Sequence, residues 1–337
     1  MCSPCRASVL TGLMPSQHGI HNWLDDNLMD QWPQNWPAIR GRGENEFAGL
    51  YDRADMHSVR REGLSNAVLE RFGLRVAEGG LREQFKGPLL LPNNVESLRN
   101  YFSQVSLIDD GVGQILQALD RLRLDRDTLV IYTADHGFSL GHNGIWGHWA
   151  AAFPASAHRP SYHIPLIMAG ARGVTGAVSD AMVSQIELFP TLARLAGSDA
   201  VPSLPSTARD LGPALRGEVE AVQEAVFMEQ EETRAMRTRD WLFVKRFQGA
   251  SSYPLRDALY DLNADPQEKT DVSDLPENAA VLRQMDAALG AHFAQHTVPR
   301  YDLWQGGTAK SNVTYPKFWQ DAWGADWQPE VGALSAG

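Results

Sequence analysis

The sequence has few cysteines and fewer basic than acidic residues. Two cysteines occur in 337 residues, both within the first five positions, so a disulfide framework is excluded. No stretch of eighteen apolar residues is present, and the sequence therefore predicts no membrane span. Lys and Arg number 30 against 41 Asp and Glu, a formal net charge of −11. A nucleic-acid partner is not expected, because a protein that neutralises phosphates needs a basic face.

The composition is otherwise that of an ordinary globular protein. With 43% hydrophobic residues, the chain is long enough to bury a large core and to divide into one large and one smaller domain. The stretch 202–217 is rich in Pro, Ser and Gly. We predict a domain boundary there, with an α/β domain at 1–215 and a small domain at 216–337.

Hydrophobic periodicity predicts alternating helices and strands in the larger part. Apolar residues recur every three or four positions over 95–122, which indicates a long amphipathic helix. The runs 128–133 and 164–168 are typical of buried strands, as in a parallel sheet. The pattern at 183–195 predicts a helix that Pro190 kinks or restarts. This alternation predicts an α/β fold with a mainly parallel sheet between layers of helices.

The pattern changes after residue 217. Short apolar runs separated by turn residues predict an antiparallel sheet, and 278–292 predicts one more helix. The runs lie at 225–228, 235–239, 241–245 and 258–260. We therefore expect the smaller domain to be of the α+β class.

A chemical motif opens the chain at Cys2-Ser3-Pro4-Cys5-Arg6. Ser3 suits an N-cap and Pro4 the first helical position, so a helix is predicted over 3–13 with Cys2 at its start. The residues alone leave two interpretations open, a redox pair of cysteines and half of a zinc site.

The run from Cys2 to Gly12 resembles the sulfatase signature, C-x-P-x-R followed by A-S-x-L-T-G. This resemblance implies that Cys2 is oxidised to formylglycine, the nucleophile, and that Arg6 fixes and charge-stabilises it. A helix N-terminus beside that carbon would favour the developing anion. Cys5 departs from the Ser or Ala most often found at its position in the family.

A second motif, from Thr133 to His148, resembles the family's segment S-D-H-G-x-x-L-G-x-H-G-x-W-G-K at the end of a strand. An Asp-His-Gly run alone is also an ordinary turn. The resemblance implies that Asp135 and His136, together with the residue made from Cys2, bind a divalent cation, Ca²⁺ in preference to Mg²⁺. His148 stands where the family has Lys, and would act as acid or cation when protonated.

The motif departs from the family pattern at Asn143, which takes the place of a His. The neighbouring His142 either compensates for that change or is a polar loop residue. Further segments resemble the family without carrying chemistry, at 163–168, 183–192 and 258–268. They extend the resemblance over 1–25 and 95–275.

Some catalytic parts of the family have no counterpart in this sequence. The family takes two metal-binding Asp residues from a strand upstream of the signature, and we expect the chain to be incomplete at its N-terminus. The Asp25-Asp26 pair follows the signature without an apolar strand before it, and is interpreted as a solvated loop. No Lys- and His-bearing segment follows the signature, so 38–90 is interpreted as deleted or strongly divergent.

The resemblance implies a sulfuric ester hydrolase acting on small-molecule or saccharide sulfate esters. The formylglycine-generating enzyme is the implied protein partner. Two alternatives stay open, a phosphonate or phosphate monoester hydrolase of the same superfamily and a non-catalytic sulfatase fragment. The sequence leaves the compartment undetermined between cytoplasm and periplasm.

Overall fold

The structure is a computed structural model. It describes residues 2–21, 46–56, 95–144, 146–147, 154–170, 176, 178–198, 206–219, 222–248, 255–313 and 316–330. Asp25, Asp26 and His148, together with most of 38–90, lie outside these residues, and so does the side chain of Cys2. In the described ranges, no helix is both long and apolar enough to cross a bilayer.

The helices of the described residues are α1 (Cys2–Thr11), α2 (Pro15–His18), α3 (Val95–Arg121), α4 (Arg159–Tyr162), α5 (Leu188–Leu195), α6 (Gly212–Leu215), α7 (Ala279–His296) and α8 (Pro316–Trp323). The strands are β1 (Val130–Thr133), β2 (Ser139–Leu140), β3 (Trp146–Gly147), β4 (Leu166–Ala169), β5 (Val226–Gln230), β6 (Thr233–Arg237), β7 (Trp241–Arg246) and β8 (Ala258–Asp261). The predicted order of helices and strands is confirmed within a few residues at each end.

Helix α1 forms where the motif predicts it. Pro4 lies in its first turn, where the missing N–H leaves no helical hydrogen bond unmade. Gly12 ends the helix with a φ of 67°, and its N–H donates to Ser8 O over 2.8 Å. Helix α5 begins at Leu188 after a 3₁₀ turn, so the predicted restart is confirmed, with Pro190 in the first turn.

The long helix α3 is confirmed as one continuous element. Its first turns are buried, with Leu98 fully enclosed in a cluster that includes Met56 and Phe102. Phe138 and Leu140, which follow β1, pack on the same cluster. The start of α3 therefore supports the loop that leaves β1.

Strands β1 and β4 pair antiparallel, with Val130 opposite Ala169 and Thr133 opposite Leu166. The sequence predicted a mainly parallel sheet, but no parallel pair occurs among the described strands. The physical reason is that β4 begins opposite the last residue of β1, whereas a parallel neighbour needs a crossover to the opposite end of the sheet. The α/β class itself is confirmed by the solved structures described below.

The predicted antiparallel sheet of the C-terminal part is confirmed, with strand order β5-β6-β7-β8. Helix α7 packs on β6 and β7, and Phe243, Leu259 and Leu289 form the core between them. Met14 and Ile186 belong to the same buried cluster. The boundary at 215 stays a prediction, and a shared apolar core crosses it.

A buried ion network also joins the turn after α1 to this sheet. The Arg234 guanidinium lies 2.7 Å from both Glu229 Oε1 and Asp302 Oδ1, and all three side chains are buried. The other Glu229 oxygen accepts the Ser16 N–H over 2.7 Å. Burial opposes ionisation of Glu229, but Arg234 and His21 hold its pKa below the ordinary value. The network therefore fixes α2, and with it the end of α1, to β5 and β6.

Candidate active site

The structure brings together residues from the two predicted motifs. Arg6 lies one turn into α1, and Asp135 lies two residues beyond the end of β1. Arg6 Nε is 3.2 Å and Arg6 NH2 3.1 Å from the same oxygen, Asp135 Oδ2. The Arg6 side chain is 72% exposed and that of Asp135 27%. An ion pair this exposed contributes little stability, so its significance is the arrangement of the two motifs.

Two contacts hold the signature helix beside the end of β1. Helix α1 packs against α5 and the 3₁₀ turn Gln185–Glu187 before it. Gln185 Nε2 donates to Ala134 O over 2.5 Å, which ties that turn to the residue just before Asp135. In the sequence, Gln185 lies in the segment 183–192, which resembles the family without carrying chemistry. Nothing in the sequence predicts this contact, because a single Gln side chain is not specific to any structural role.

His136 has the geometry of a neutral histidine that is protonated on Nδ1. Its Nδ1 donates to Gly137 O over 2.8 Å, which assigns the proton to Nδ1 and leaves Nε2 as an acceptor. Nε2 lies 3.7 Å from Asp135 Oδ1. Burial lowers the pKa of His136, and the nearby charge of Arg6 lowers it further, against the opposing effects of Gly137 O and Asp135. Metal-binding histidines commonly donate the other ring N–H to a carbonyl in this way.

Asp135 and His136 therefore present a carboxylate and an imidazole nitrogen at one point, a donor pair compatible with a divalent cation. A hard cation such as Ca²⁺ takes six to eight oxygen ligands, more than this pair supplies. The described part of the chain contains no group of three or more His, Cys, Asp or Glu side chains that could hold a metal. The remaining ligands would have to come from elsewhere, and the ligand set proposed from sequence stays a prediction.

The other predicted site residues are placed as follows. Cys2 is the first residue of α1, at the end of the helix that carries Arg6, although its side chain lies outside the description. His148 also lies outside it. Asn143 has a left-handed φ of 56°, and its Nδ2 donates to Glu268 O over 2.7 Å. This contact gives Asn143 a role in holding the loop, where the family pattern has a His.

Gly137 is a site residue whose role the sequence did not reveal. Its N–H donates to Ser161 O over 2.9 Å, and a Cβ at this position would overlap Pro160 O. Only glycine allows the backbone next to His136 to lie this close to α4. The glycine was part of the quoted motif, but the segment it contacts cannot be read from sequence.

Part of the chain is similar to the sulfatases. The sulfatase family model matches residues 44–198. The match includes Asp135 and His136 and begins inside the stretch 38–90, where the sequence shows no motif. The signature at 2–12 lies outside the matched range, and it is therefore an additional likeness to the family.

Three relatives illustrate the likeness. The choline-sulfatase of Rhizobium meliloti (strain 1021) is 31% identical over 188 residues, covering 53% of this chain and 34% of the relative. A phosphonate monoester hydrolase of Agrobacterium radiobacter has a TM-score of 0.52 at 27% identity, covering 60% of this chain and 42% of that one. The structure of BT1596, a 2-O GAG sulfatase, has a TM-score of 0.59 at 17% identity, covering 99% and 89%, and it shows the fold alone.

The aligned segment thus spans about a third of the length of the choline-sulfatase. The likeness to solved structures shows the α/β fold, and the family model and the curated relatives show similarity to sulfatases over part of the chain. Together these findings support a relationship of the chain to the sulfatase family.

Proposed function

We propose that this protein hydrolyses sulfate monoesters with a formylglycine nucleophile made from Cys2. The observation that carries the proposal is the contact of Arg6 with Asp135, because it joins the nucleophile helix to the proposed metal ligands across 129 positions of sequence. Similarity to the sulfatase family supports the same reaction class.

The proposed roles follow from residue chemistry. The hydrated aldehyde supplies two hydroxyls on one carbon, one to attack sulfur and one whose deprotonation later expels sulfate. Arg6 orients that group and offsets negative charge beside it. Asp135 and His136 Nε2 would hold a divalent cation, Ca²⁺ in preference to Mg²⁺, which polarises the ester oxygen when bound. His148, when protonated, would assist departure of the alcohol.

The substrate class is a small-molecule or saccharide sulfate ester. A net charge of −11 provides no general attraction for anions, so the sulfate would be held by local cations such as Arg6. A formylglycine-generating enzyme is the required partner for maturation of Cys2. No nucleic acid is expected as a partner, for the same reason of charge.

A phosphonate or phosphate monoester hydrolase is the second candidate. It is favoured by the phosphonate monoester hydrolase of Agrobacterium radiobacter, 27% identical at a TM-score of 0.52. A third candidate is a fragment without turnover, since the chain spans about a third of the choline-sulfatase. The three candidates differ in maturation and in substrate, and one experiment separates them.

The experiment expresses the chain with a formylglycine-generating enzyme and analyses the tryptic peptide 1–6 by mass spectrometry. The same preparation is assayed with an aryl sulfate and an aryl phosphonate ester, with added Ca²⁺ and with a chelator. Cys2→Ala should abolish turnover, and Cys5→Ala in the same helix serves as the matched control. An unmodified thiol at Cys2 would refute the formylglycine mechanism, whereas conversion without turnover of either ester would favour the fragment.

A further inference from the structure

Glu268 is a buried carboxylate outside the proposed catalytic residues. It follows β8 in the turn that closes the C-terminal sheet, and only 1% of its side chain is exposed. Its φ of 58° is a left-handed conformation that non-glycine residues rarely adopt. A buried charge in an unfavourable backbone conformation persists only when its surroundings hold it in place.

Three donors surround this carboxylate. Arg237 of β6 donates to Oε1 over 2.5 Å, and the main-chain N–H of Arg159 donates to Oε2 over 2.9 Å. His158 Nδ1 lies 3.1 Å from Oε2 and donates to it. Burial opposes ionisation of Glu268, but these hydrogen bonds from His158, Arg237 and Arg159 outweigh it and hold the pKa below the ordinary value. The carboxylate is therefore ionised at neutral pH and fixes the start of α4 against the sheet.

The side-chain carboxylate and the main-chain carbonyl of Glu268 anchor opposite ends of the loop that leaves β1. The carboxylate holds α4 by its first N–H, and in α4 Ser161 O accepts the N–H of Gly137, directly after His136. The carbonyl of Glu268 accepts from Asn143 Nδ2, near the other end of the loop. One residue of the C-terminal part thus supports both the backbone next to the proposed metal ligands and the end of the loop at Asn143.

We propose that Glu268 is a positioning residue that sets the conformation of the loop 134–144 in the active site. The consequence for turnover rests on the proposed sulfatase function, whereas the consequence for the loop does not. Without the carboxylate, Arg237 and His158 lose their buried acceptor, and the first N–H of α4 loses its hydrogen bond to Glu268. A displacement of about 1 Å at Asp135 and His136 would cost about 10²-fold in rate with little change in substrate binding.

The test compares Glu268→Gln and Glu268→Ala with wild type in the full chain. The amide of Gln can still accept the Arg159 N–H but carries no charge, whereas Ala removes every contact of the carboxylate. Asp286→Asn is the matched control, because Asp286 pairs with Lys245 of the same sheet and does not contact the loop. Thermal unfolding verifies that all variants fold.

Hydrogen exchange followed by mass spectrometry gives the first readout. Peptides covering 134–144 should exchange about tenfold faster in Glu268→Gln, and faster still in Glu268→Ala, as local opening becomes easier. Peptides covering β7 should stay at the wild-type rate, and Asp286→Asn should leave the loop unchanged. Unchanged exchange in the loop, or equal acceleration of loop and sheet, would overturn the proposal.

Turnover of an aryl sulfate gives the second readout, after conversion of Cys2 has been verified. The kcat of Glu268→Gln should fall by about 10–100-fold while KM stays within about twofold, a split that general destabilisation does not produce. A KM effect with unchanged kcat would contradict positioning. If wild type itself shows no turnover, the proposed function fails, and hydrogen exchange still decides the role of Glu268.

Discussion

The turn after the signature helix contains a histidine that should make the protein sensitive to acid. His18 Nδ1 accepts the Ile20 N–H over 3.1 Å, so the ring proton is on Nε2, 3.2 Å from Ser8 Oγ. Burial, then the proximity of His21 and Lys310, lowers the pKa of His18 to about 3, against the opposing charge of Glu229. Protonation of the folded state would break the bond to Ile20 and place a charge in this site.

The free energy of unfolding should fall as the pH is lowered, because the proton binds the unfolded chain first. Because the folded pKa of His18 is about 3 and the ordinary value is 6.5, the unfolded chain takes up a proton between these values and the folded chain does not. The contribution to the free energy of unfolding is complete above pH 6.5 and is lost as the pH falls toward 3. The loss is about 1.4 kcal/mol per pH unit, or about 2 kcal/mol between pH 6.5 and pH 5.

The substitution His18→Asn tests this pH dependence of stability. An Asn side-chain oxygen can accept the Ile20 N–H in place of His18 Nδ1, and it does not titrate. Urea unfolding followed by tryptophan fluorescence gives the free energy of unfolding at pH 6.5, 6 and 5. Over that range we expect the variant to lose about 2 kcal/mol less than wild type. Ser8→Ala, which removes the Nε2 partner and keeps the titrating ring, should retain the wild-type slope. Parallel slopes for wild type and His18→Asn would refute the reasoning.

Three further substitutions test the fold and the site. Arg234→Met leaves two buried carboxylates without their shared cation and should lower the free energy of unfolding by about 3–5 kcal/mol, measured in urea, and a loss below about 1 kcal/mol would contradict this. Gly137→Ala should lower the free energy of unfolding by about 1–3 kcal/mol and reduce turnover, because the added Cβ overlaps the backbone of α4. The control Gly113→Ala places its Cβ in open space and should be neutral or stabilising. Arg6→Ala should lower kcat on an aryl sulfate by about tenfold or more. The melting temperature should stay unchanged, because an exposed ion pair adds under about 1 kcal/mol to the free energy of unfolding. Wild-type kcat in this variant would remove Arg6 from the proposed mechanism.

The sequence predicted the elements that local patterns encode. Helix α3 follows from apolar spacing, α1 from Pro4 and Gly12, and the antiparallel C-terminal sheet from short runs between turn residues. The direction of β4 could not be predicted, because an apolar run indicates a buried strand but not whether it pairs parallel or antiparallel. The two motifs were recognisable separately, whereas their contact through Arg6 and Asp135 depends on packing between distant segments.

The C-terminal sheet has a more direct part in the site than its lack of catalytic residues suggests. Through Glu229 it fixes the backbone of Ser16, just beyond the signature helix, and through Glu268 it fixes the loop that carries Asp135 and His136. Both carboxylates are buried and ionised, and removal of either would leave its donors unsatisfied. The meeting of the two motifs therefore depends on anchors placed after residue 215. Within the described residues, Glu229 and Glu268 thus connect the C-terminal sheet to the turn after α1 and to the loop that carries Asp135 and His136, and the sequence assigned such a contact to neither of them.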